Sequence, residues 1–416
     1  MHKVKDIKLA AQGKLKIAWA EGEMPVLGII KKEFAKTKPF KGLTLAACLH
    51  VTKETAVLVK ALAAGGAKVS LCGSNPLSTQ DDVAAALAAE GINVFAWKHI
   101  NNKDYYKCLN RLLDFKPQLT IDDGADVISL IHSYRPEQLK TVWAGQEETT
   151  TGVIRLKAMA KDGALKYPVV AVNDTPTKHM FDNYYGTGQS TLDSLMRVSN
   201  ILLPGKCVVV AGYGFCGKGI ALRAKGLGAR VIVTEVNPLP ALQAVMDGFE
   251  VMPMSRAAKI GDVFLTATGD KDVITSAHFK LMKNGVILGN SGHFNVEINV
   301  PELEKLSVGK RVMRDELVEY TFRNGNRIHL IAEGRLMNLA AAEGHPSSVM
   351  DLSFADQALT AAWLVKNYKT LEAKVYDVPK EIDERVSKLK LESMGVTIDK
   401  LTPLQQRYLA SWQEGT

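Results

Sequence analysis

The chain has 416 residues, of which 46% are hydrophobic and 23% are charged. This length and balance predict two or three globular domains and exclude a disordered chain. Its 52 basic and 44 acidic residues leave a net charge of +8, but the basic residues are scattered, so we expect no nucleic-acid partner. The five cysteines form no C-x-x-C pair, which argues against a disulfide framework and against a metal site. No apolar run reaches the roughly 18 residues of a membrane helix, and charges interrupt the N-terminal segment, so we expect a soluble cytoplasmic protein without membrane contact.

The first half of the chain alternates short apolar segments with helical patterns. The pattern predicts strands at 43–50, 67–73, 92–97, 118–124 and 168–174, and helices at 52–66, 78–91, 102–115 and after 147–152. Thr52 and Ser78 are the expected N-caps of the first two helices. Strands and helices in strict alternation indicate a parallel sheet covered on both faces.

A second series of the same kind follows a polar stretch with a long helix near 175–203. Its strands are predicted at 206–214, 229–235, 261–269 and 284–294. Beyond residue 345 a helical segment precedes a tail rich in Lys and Glu. The predicted fold class is therefore α/β, with two doubly wound parallel-sheet domains and a short helical C-terminal extension.

A glycine-rich loop directly follows the predicted strand 207–211 and opens a helix. Gly212, Gly214 and Gly217 form the G-x-G-x-x-G pattern, in which the glycines permit a tight turn, close approach of a pyrophosphate and close packing of helix on strand. Glu235 ends the next strand, where a carboxylate accepts hydrogen bonds from a ribose and repels a 2′-phosphate. The pattern predicts NAD rather than NADP as the cofactor; a plain strand-turn-helix is the alternative.

Polar side chains gather where the strands of the first series end. They are His50, Thr52, Asn75, Asp122, Asp123, Asn173 and Asp174, with Glu147 and Glu148 ahead of Thr149, Thr150 and Thr151. Open α/β sheets bind ligands at this edge, although each residue alone also suits a cap, a turn or a helix dipole. From the residues alone, the default expectation is a dehydrogenase of a small hydroxy compound.

Motifs spread over nearly the whole chain resemble those of the S-adenosyl-L-homocysteine hydrolases. They are CLHVTKETAVL (48–58), STQDD (78–82), DDGAD (122–126), EETTTG (147–152), VNDTPTKHMFDNYYGTGQS (172–190), VTEVNPLPALQA (233–244), NSGHF (290–294) and GHPSSVM (344–350). The short ending resembles the archaeal and thermophilic bacterial branch of the family.

The resemblance implies reversible hydrolysis of S-adenosyl-L-homocysteine to adenosine and L-homocysteine. In that chemistry, bound NAD oxidises the 3′-hydroxyl, which acidifies the 4′ proton and allows homocysteine to leave from the 5′ carbon. Water then adds and the ketone is reduced again, so there is no net redox change. The implied partners are therefore small molecules only.

The resemblance also assigns roles to individual residues. Lys178 and Asp182 are implied to lie beside the 3′-hydroxyl, and Asp123 and His50 to handle the 4′ proton and the 5′ leaving group. His293 is implied to be a second catalytic histidine. The residues implied to bind the substrate are Thr52, Glu54, Glu148, His345 and Met350. The residues implied to bind NAD are the glycine-rich loop, Glu235, Thr149, Thr150, Thr151, Asn183, Asn290 and Asn338.

The implied architecture places an NAD domain as one insert in a substrate domain. The substrate domain would comprise 1–181 and 346–377, and the NAD domain 189–343. The extension 378–416 would contact another subunit of a homotetramer. The crossings near 182–188 and 344–346 would be hinges.

Four features depart from the family pattern. Thr187 replaces a frequent cysteine, Pro240 a frequent asparagine and Glu343 a frequent methionine, and the tail lacks the Lys…Tyr segment that reaches a neighbouring NAD site in longer members. We therefore expect no thiol to act at position 187. Three alternatives remain: an S-inosyl-L-homocysteine hydrolase, an inactive NAD-binding regulator and a conventional dehydrogenase.

Overall fold

A computed structural model, which describes residues 1–413, contains two eight-stranded sheets. In the first sheet every neighbouring pair of strands is parallel. Its strands, in spatial order, are Lys3–Val4, Asn93–Ala96, Lys68–Cys72, Thr44–Cys48, Leu119–Asp122, Ala144–Glu147, Val169–Ala171 and Val375–Asp377. The central strands are almost wholly buried, as expected for a parallel sheet covered on both faces.

The second sheet is parallel over six strands and ends in an antiparallel hairpin. Its strands, in spatial order, are Glu250–Val251, Arg230–Thr234, Cys207–Ala211, Val263–Thr266, Val286–Asn290, Arg327–Ile331, Leu317–Phe322 and Ser307–Arg314. The predicted α/β class with two parallel-sheet domains is confirmed. The hairpin was not predicted, because its edge strand is exposed and charged and lacks an apolar run.

The helices cover both faces of the two sheets. Around the first sheet they are Ala10–Glu23, Pro25–Thr37, Lys53–Ala64, Asp81–Ala89, Asn102–Leu113, Asp126–Tyr134 and Thr150–Lys161. The later helices are Thr187–Ser199, Phe215–Gly226, Pro238–Met246, Met254–Ala257, Ser276–Phe279, Val300–Leu306, Met337–Ala340, Ser347–Asn367, Lys380–Ser393 and Pro403–Leu409. Among residues 1–413, none of these helices has the length and apolarity needed to cross a membrane.

The two predicted helix starts have different outcomes. Thr52 caps the helix Lys53–Ala64 by accepting a hydrogen bond from the Thr55 backbone N–H at 3.4 Å, as predicted. The prediction for Ser78 is wrong, since the next helix begins at Asp81 after an N-cap at Gln80. The Ser78 hydroxyl is instead 2.7 Å from Nδ1 of His50, so its hydrogen-bonding capacity is used by a side chain.

The segment between the two sheets is helical without a break. A π-helix, Lys178–Gly186, runs directly into the α-helix Thr187–Ser199. Two glycines explain how this α-helix packs closely on Phe215–Gly226, because a Cβ at Gly188 would lie 2.6 Å from the Gly219 carbonyl oxygen. After Gly344, whose φ is +83°, the helix Ser347–Asn367 packs in the core of the first sheet.

Candidate active site

A cavity of about 1020 Å³ lies where the carboxyl ends of both sheets face each other. The first sheet contributes His50 and Asp123, and the second contributes Gly212, Glu235 and His293. Convergence of polar residues at the carboxyl edges of two parallel sheets is the usual position of a ligand site in this fold class.

Asp123 lies between two histidines in this cavity. Its Oδ2 is 3.2 Å from Nε2 of His50, and its Oδ1 is 3.6 Å from Nδ1 of His293. Burial lowers the pKa of His50 to about 4, although the charge of Asp123 opposes that shift. His50 is therefore neutral at physiological pH and available as a base. The three donor atoms lie within 4.8 Å of one another, so the same cluster has the spacing of a metal-binding set.

Lys178, Asp182 and Glu148 form a second charged cluster. The Lys178 ammonium is 3.4 Å from Asp182 and 3.8 Å from Glu148, and all three side chains are at least nine-tenths buried. Burial would lower the pKa of Lys178, but the two carboxyl groups outweigh it and raise that pKa. Burial would raise the pKa of Asp182, but Lys178 and His345 outweigh it and lower it. Lys178 and Asp182 are therefore both charged.

Glu148 differs from its neighbour Asp182 in protonation. Burial raises the pKa of Glu148 to about 8 despite the nearby Lys178 ammonium, so the carboxyl group holds a proton at neutral pH. Its Oε2 accepts a hydrogen bond from the Gln357 amide, while its Oε1 has no partner among the described residues. This buried, unpartnered atom belongs to a residue that lines the cavity, where a hydroxyl of a ligand would satisfy it.

The π-helix explains how Lys178, Asp182 and Asn183 reach the cavity together. All three are buried, and the Lys178 ammonium also donates to Oδ1 of Asn183 at 2.8 Å. In an α-helix, residues five apart diverge by about 140°, whereas the i→i+5 hydrogen bonding of a π-helix brings them to the same face. From sequence spacing alone, Lys178 and Asp182 would instead be read as a surface pair.

Glu54 and His345, which both line the cavity, make polar contacts with neighbouring side chains. Oε1 of Glu54 accepts a hydrogen bond from the Ser347 hydroxyl at 2.6 Å. His345 places Nδ1 3.3 Å from Asp182, and its Nε2 lies 3.1 Å from the Asn338 amide. Thr52 and Met350 line the same region of the cavity.

The glycine-rich loop has the shape of a dinucleotide cradle. Gly212 has a φ of +92°, and a Cβ there would lie 2.8 Å from the Ala267 carbonyl oxygen. At Gly217 a Cβ would lie 2.0 Å from the Gly212 carbonyl oxygen, whereas Gly214 faces open space. Glu235 accepts a hydrogen bond from the Tyr213 backbone N–H at 2.8 Å and lines the cavity. These residues fit the pyrophosphate and ribose of NAD.

Most of the predicted site residues line one cavity. They are His50, Thr52, Glu54, Asp123, Glu148, Thr149, Thr150, Thr151, Lys178, Asp182, Asn183, Gly212, Gly214, Glu235, His293, Asn338, His345 and Met350. Gly217 and Asn290 do not line it. Gly217 permits the turn, and Asn290 shapes the loop that carries His293 by donating to the Phe294 carbonyl at 2.9 Å and the Gly334 carbonyl at 2.9 Å.

Other strand-end residues organise the backbone. Oδ2 of Asp122 accepts a hydrogen bond from the Ile128 N–H at 2.9 Å. Glu147 accepts from the backbone N–H groups of Gly124 and Ala125 at 2.7 and 3.0 Å. Asn75 accepts from the Leu77 N–H at 2.9 Å. For these three, the capping explanation is the one that the geometry supports.

Several residues that hold the site side chains in place were not identified from the sequence. Ser353 donates to Oδ2 of Asp182 at 3.1 Å, and Gln357, one turn further, donates to Glu148. The sequence feature that could have identified Ser353 and Gln357 is their i, i+4 spacing as polar residues within a long apolar helical segment. A thiol from elsewhere in the chain nevertheless lies near position 187, since Sγ of Cys216 is 3.6 Å from the Thr187 hydroxyl. The glycine-rich loop supplies this thiol.

A dinucleotide cradle facing buried acid, base and ammonium groups defines the class of an NAD-dependent enzyme. Residues 183–344 match the NAD-binding domain of S-adenosyl-L-homocysteine hydrolase, and residues 1–145 match the S-adenosyl-L-homocysteine hydrolase model of the same family. The chain belongs to the S-adenosyl-L-homocysteine hydrolase family, and its cofactor is NAD.

Curated relatives align over the full chain. An adenosylhomocysteinase of Sulfurisphaera tokodaii is 59% identical over 100% of both chains, and one of Aquifex aeolicus is 58% identical over 99% of both. An S-inosyl-L-homocysteine hydrolase of Methanocaldococcus jannaschii is 55% identical over 100% of both chains. Proteins named for two different nucleoside substrates are thus similarly close to this chain.

Proposed function

We propose that this chain catalyses the reversible hydrolysis of S-adenosyl-L-homocysteine to adenosine and L-homocysteine. The observation that carries the proposal is the pairing of two buried clusters in one cavity. One cluster, Lys178 with Asp182, suits polarisation of a ribose hydroxyl, and the other, His50 with Asp123, suits proton transfer. A net dehydrogenase needs only the first cluster.

NAD, when bound by the glycine-rich loop, Glu235 and Thr149–Thr151, supplies reversible acceptance of the hydride from the 3′ carbon. Asp182, as an ionised carboxylate, accepts the hydrogen bond of the 3′-hydroxyl and takes up its proton as the hydride leaves, and it returns that proton when the ketone is reduced. The Lys178 ammonium stabilises the negative charge that develops on that oxygen. Glu148, protonated beside them, orients the neighbouring ribose hydroxyl through its unpartnered oxygen.

Asp123 and His50 act at the next carbon atoms of the ribose. The Asp123 carboxylate removes the acidified 4′ proton, and the electron pair expels the homocysteine sulfur from the 5′ carbon. Asp123 passes this proton to the neighbouring His50, which delivers it to the leaving sulfur. When water adds, His50 takes a proton from the water and returns it through Asp123 to the 4′ carbon. A neutral imidazole with a carboxylate at 3.2 Å serves both directions of proton transfer.

The substrate is tested by offering adenosine or inosine with L-homocysteine to the purified protein that retains NAD. We expect thioether formation with adenosine and no lasting accumulation of reduced cofactor. Steady accumulation of reduced cofactor without a thioether would identify a net dehydrogenase. Thioether formed only from inosine would identify an S-inosyl-L-homocysteine hydrolase, the substrate named for the Methanocaldococcus jannaschii relative.

We also propose the domain division and the assembly that the family resemblance implies. Residues 189–343 form the NAD domain, 1–181 with 346–377 form the substrate domain, and the chain acts in the cytoplasm as a homotetramer. Exposed apolar residues in the C-terminal extension support a subunit contact there. They include Ile398, Leu404, Leu409 and Trp412, each more than half exposed. Light scattering during size-exclusion chromatography tests the tetramer, and loss of tetramer on Leu404→Ser with Leu409→Ser tests the contact.

A further inference from the structure

Behind the wall of the cavity, the Lys53 ammonium bridges two carboxylates. It lies 3.2 Å from Oε1 of Glu54 and 3.2 Å from Oε2 of Glu343. The Lys53 side chain is 12% exposed and that of Glu54 only 2%. Glu54 and Glu343 line the cavity, whereas Lys53 does not. Lys53 can therefore act on a ligand only through these carboxylates.

The surroundings keep Lys53 charged. Burial would lower its pKa, but the charges of Glu54 and Glu343 outweigh burial and raise it. In return, the ammonium balances the charge of a carboxylate that has almost no access to water. The ion pair therefore offsets part of the cost of burying that carboxylate.

Hydrogen-bond counting then defines what Glu54 offers to a ligand. Its Oε1 already accepts from the Ser347 hydroxyl at 2.6 Å and from Lys53. The Ser347 hydroxyl has one hydrogen, which this bond consumes. A carboxylate paired with an ammonium has no hydrogen to donate, so Glu54 offers only acceptors to a ligand.

We propose that Lys53 is a positioning residue that sets purine specificity by holding the Glu54 carboxylate in place as a hydrogen-bond acceptor. The inference rests on the proposed function and on the substrate contact that the family resemblance implies for Glu54, which we take to lie at the 6-position of the purine. A 6-amino group donates to this wall, whereas a 6-oxo group places an acceptor against an acceptor. Selection of 6-aminopurine over 6-oxopurine nucleosides therefore depends on Lys53, which itself contacts neither kind of nucleoside.

The test measures KM and kcat for adenosine and for inosine in the synthetic direction, with L-homocysteine in excess. We expect the unmodified chain to favour adenosine in kcat/KM by at least about a hundredfold. Lys53→Gln removes the cation that pairs with Glu54 at 3.2 Å, so the carboxylate is no longer held as a fixed acceptor. The adenosine KM should rise about tenfold, since a charge-assisted bond is lost, with kcat nearly unchanged and the preference reduced at least about tenfold.

Two further variants separate specificity from folding. Lys53→Arg keeps the charge and should restore the preference. Lys60→Gln is the control on the same helix, because Lys60 pairs with Glu21 at 3.2 Å. This substitution should leave KM and kcat unchanged for both nucleosides. NAD content and thermal unfolding verify that each variant is folded.

An unchanged preference in folded Lys53→Gln overturns the proposal, as does failure of Lys53→Arg to restore it. If Lys53→Gln does not fold, the unmodified chain still decides, because equal use of inosine overturns the proposal while leaving the hydrolytic chemistry intact. An unmodified chain that uses neither nucleoside overturns the proposed function and the specificity proposal together.

Discussion

Asp123 is the residue on which the two halves of the proposed reaction separate. It contacts His50 and His293, while Lys178 and Asp182 form a cluster of their own. Asp123→Asn keeps the size of the side chain but removes the proton acceptor, so turnover should fall by about 10²–10⁴-fold. Oxidation of the ribose should persist, and adenosine should still raise the absorbance of reduced nicotinamide. Normal turnover of this variant would show that the base lies elsewhere.

Burial of His50 gives a pH-dependent contribution to stability. Its pKa is about 4 in the folded chain against an ordinary 6.5, so below pH 6.5 the unfolded chain takes up a proton that the folded chain does not. This contribution is complete above pH 6.5 and is lost as the pH falls towards 4. When the pH is lowered from 7 to 5, the free energy of unfolding should fall in both chains, but it should fall by about 2 kcal/mol less in His50→Gln than in the unmodified chain. Denaturant unfolding at both pH values measures it, and parallel losses would contradict it.

In the proposed NAD site, Glu235 binds a ribose and also supports the glycine-rich loop. Its Oε2 accepts from the Tyr213 N–H, and its Oε1 accepts from the N–H groups of Val236 and Asn237. Glu235→Ser should weaken NAD binding about tenfold to a hundredfold and relax the discrimination against NADP. Titration of stripped protein with both cofactors tests this, with Glu250→Ser, on the exposed edge strand, as the control. Unaltered affinity for NAD would refute the assignment.

At the scale of residues, the rule that ligands bind at the carboxyl ends of parallel strands predicted part of the site. It did not predict the side chains that hold the site residues in place. His50 and Asp123 follow neighbouring parallel strands, so their proximity could be expected from the alternation of elements. Lys178 and Asp182 could not be placed in this way, because their i, i+4 spacing is typical of a surface ion pair. Only the resemblance to a family identified them, and the π-helical geometry that buries them has no clear sequence signal.

At the scale of elements, the packing of helix Phe215–Gly226 on the π-helix depends on Gly219. A Cβ there would lie 2.0 Å from the Tyr184 carbonyl oxygen, which is backbone and cannot rotate away. Gly219→Ala should therefore destabilise the chain by roughly 1–3 kcal/mol and reduce retained NAD, because the glycine-rich loop opens this helix.

The same helix contains a matched control for that substitution. A Cβ added at Gly226 would meet no other atom within 4 Å, so Gly226→Ala should be neutral or slightly stabilising. Thermal unfolding and the NAD content of the purified variants are the measurements. Equal behaviour of the two variants would mean that the close approach at Gly219 is not required.

The elements themselves were predictable where burial is uniform. The strand Cys207–Ala211 is a run of apolar residues buried throughout, and its neighbours in the sheet follow the same rule. The strand Ser307–Arg314 has seven exposed residues among its eight, so its sequence carries no hydrophobic period. It is held by pairing with Leu317–Phe322, a partner that lies later in the chain.

On the scale of the whole molecule, several contacts join the two sheet systems around the cavity. Lys98, from the first, donates to the Ala340 carbonyl at 2.8 Å and pairs with Glu316 at 3.0 Å. Gly124 lies so close to His293 that a Cβ would be 2.5 Å from its Nε2. The structure therefore has the arrangement in which the proposed catalytic residues meet, and we expect these contacts to open when substrate is released.

The proposed hinge at Gly344 leads to the last prediction. Gly344 has a φ of +83°, and a Cβ would lie 2.5 Å from Cδ2 of Leu339, so a side chain here strains the second crossing between the domains. Gly344→Val should lower turnover at least about tenfold and leave NAD affinity within about threefold, because the glycine-rich loop and Glu235 lie away from this crossing. Gly163→Val is the matched control, since its φ is +67° in open space and it has the same backbone strain away from the crossing. Small-angle scattering should show the unmodified chain becoming more compact with 3′-deoxyadenosine, which cannot be oxidised at the 3′ carbon. An equal radius with and without this analogue would mean that the closed cavity is preformed, and equal turnover of the two variants would exclude Gly344 as a hinge.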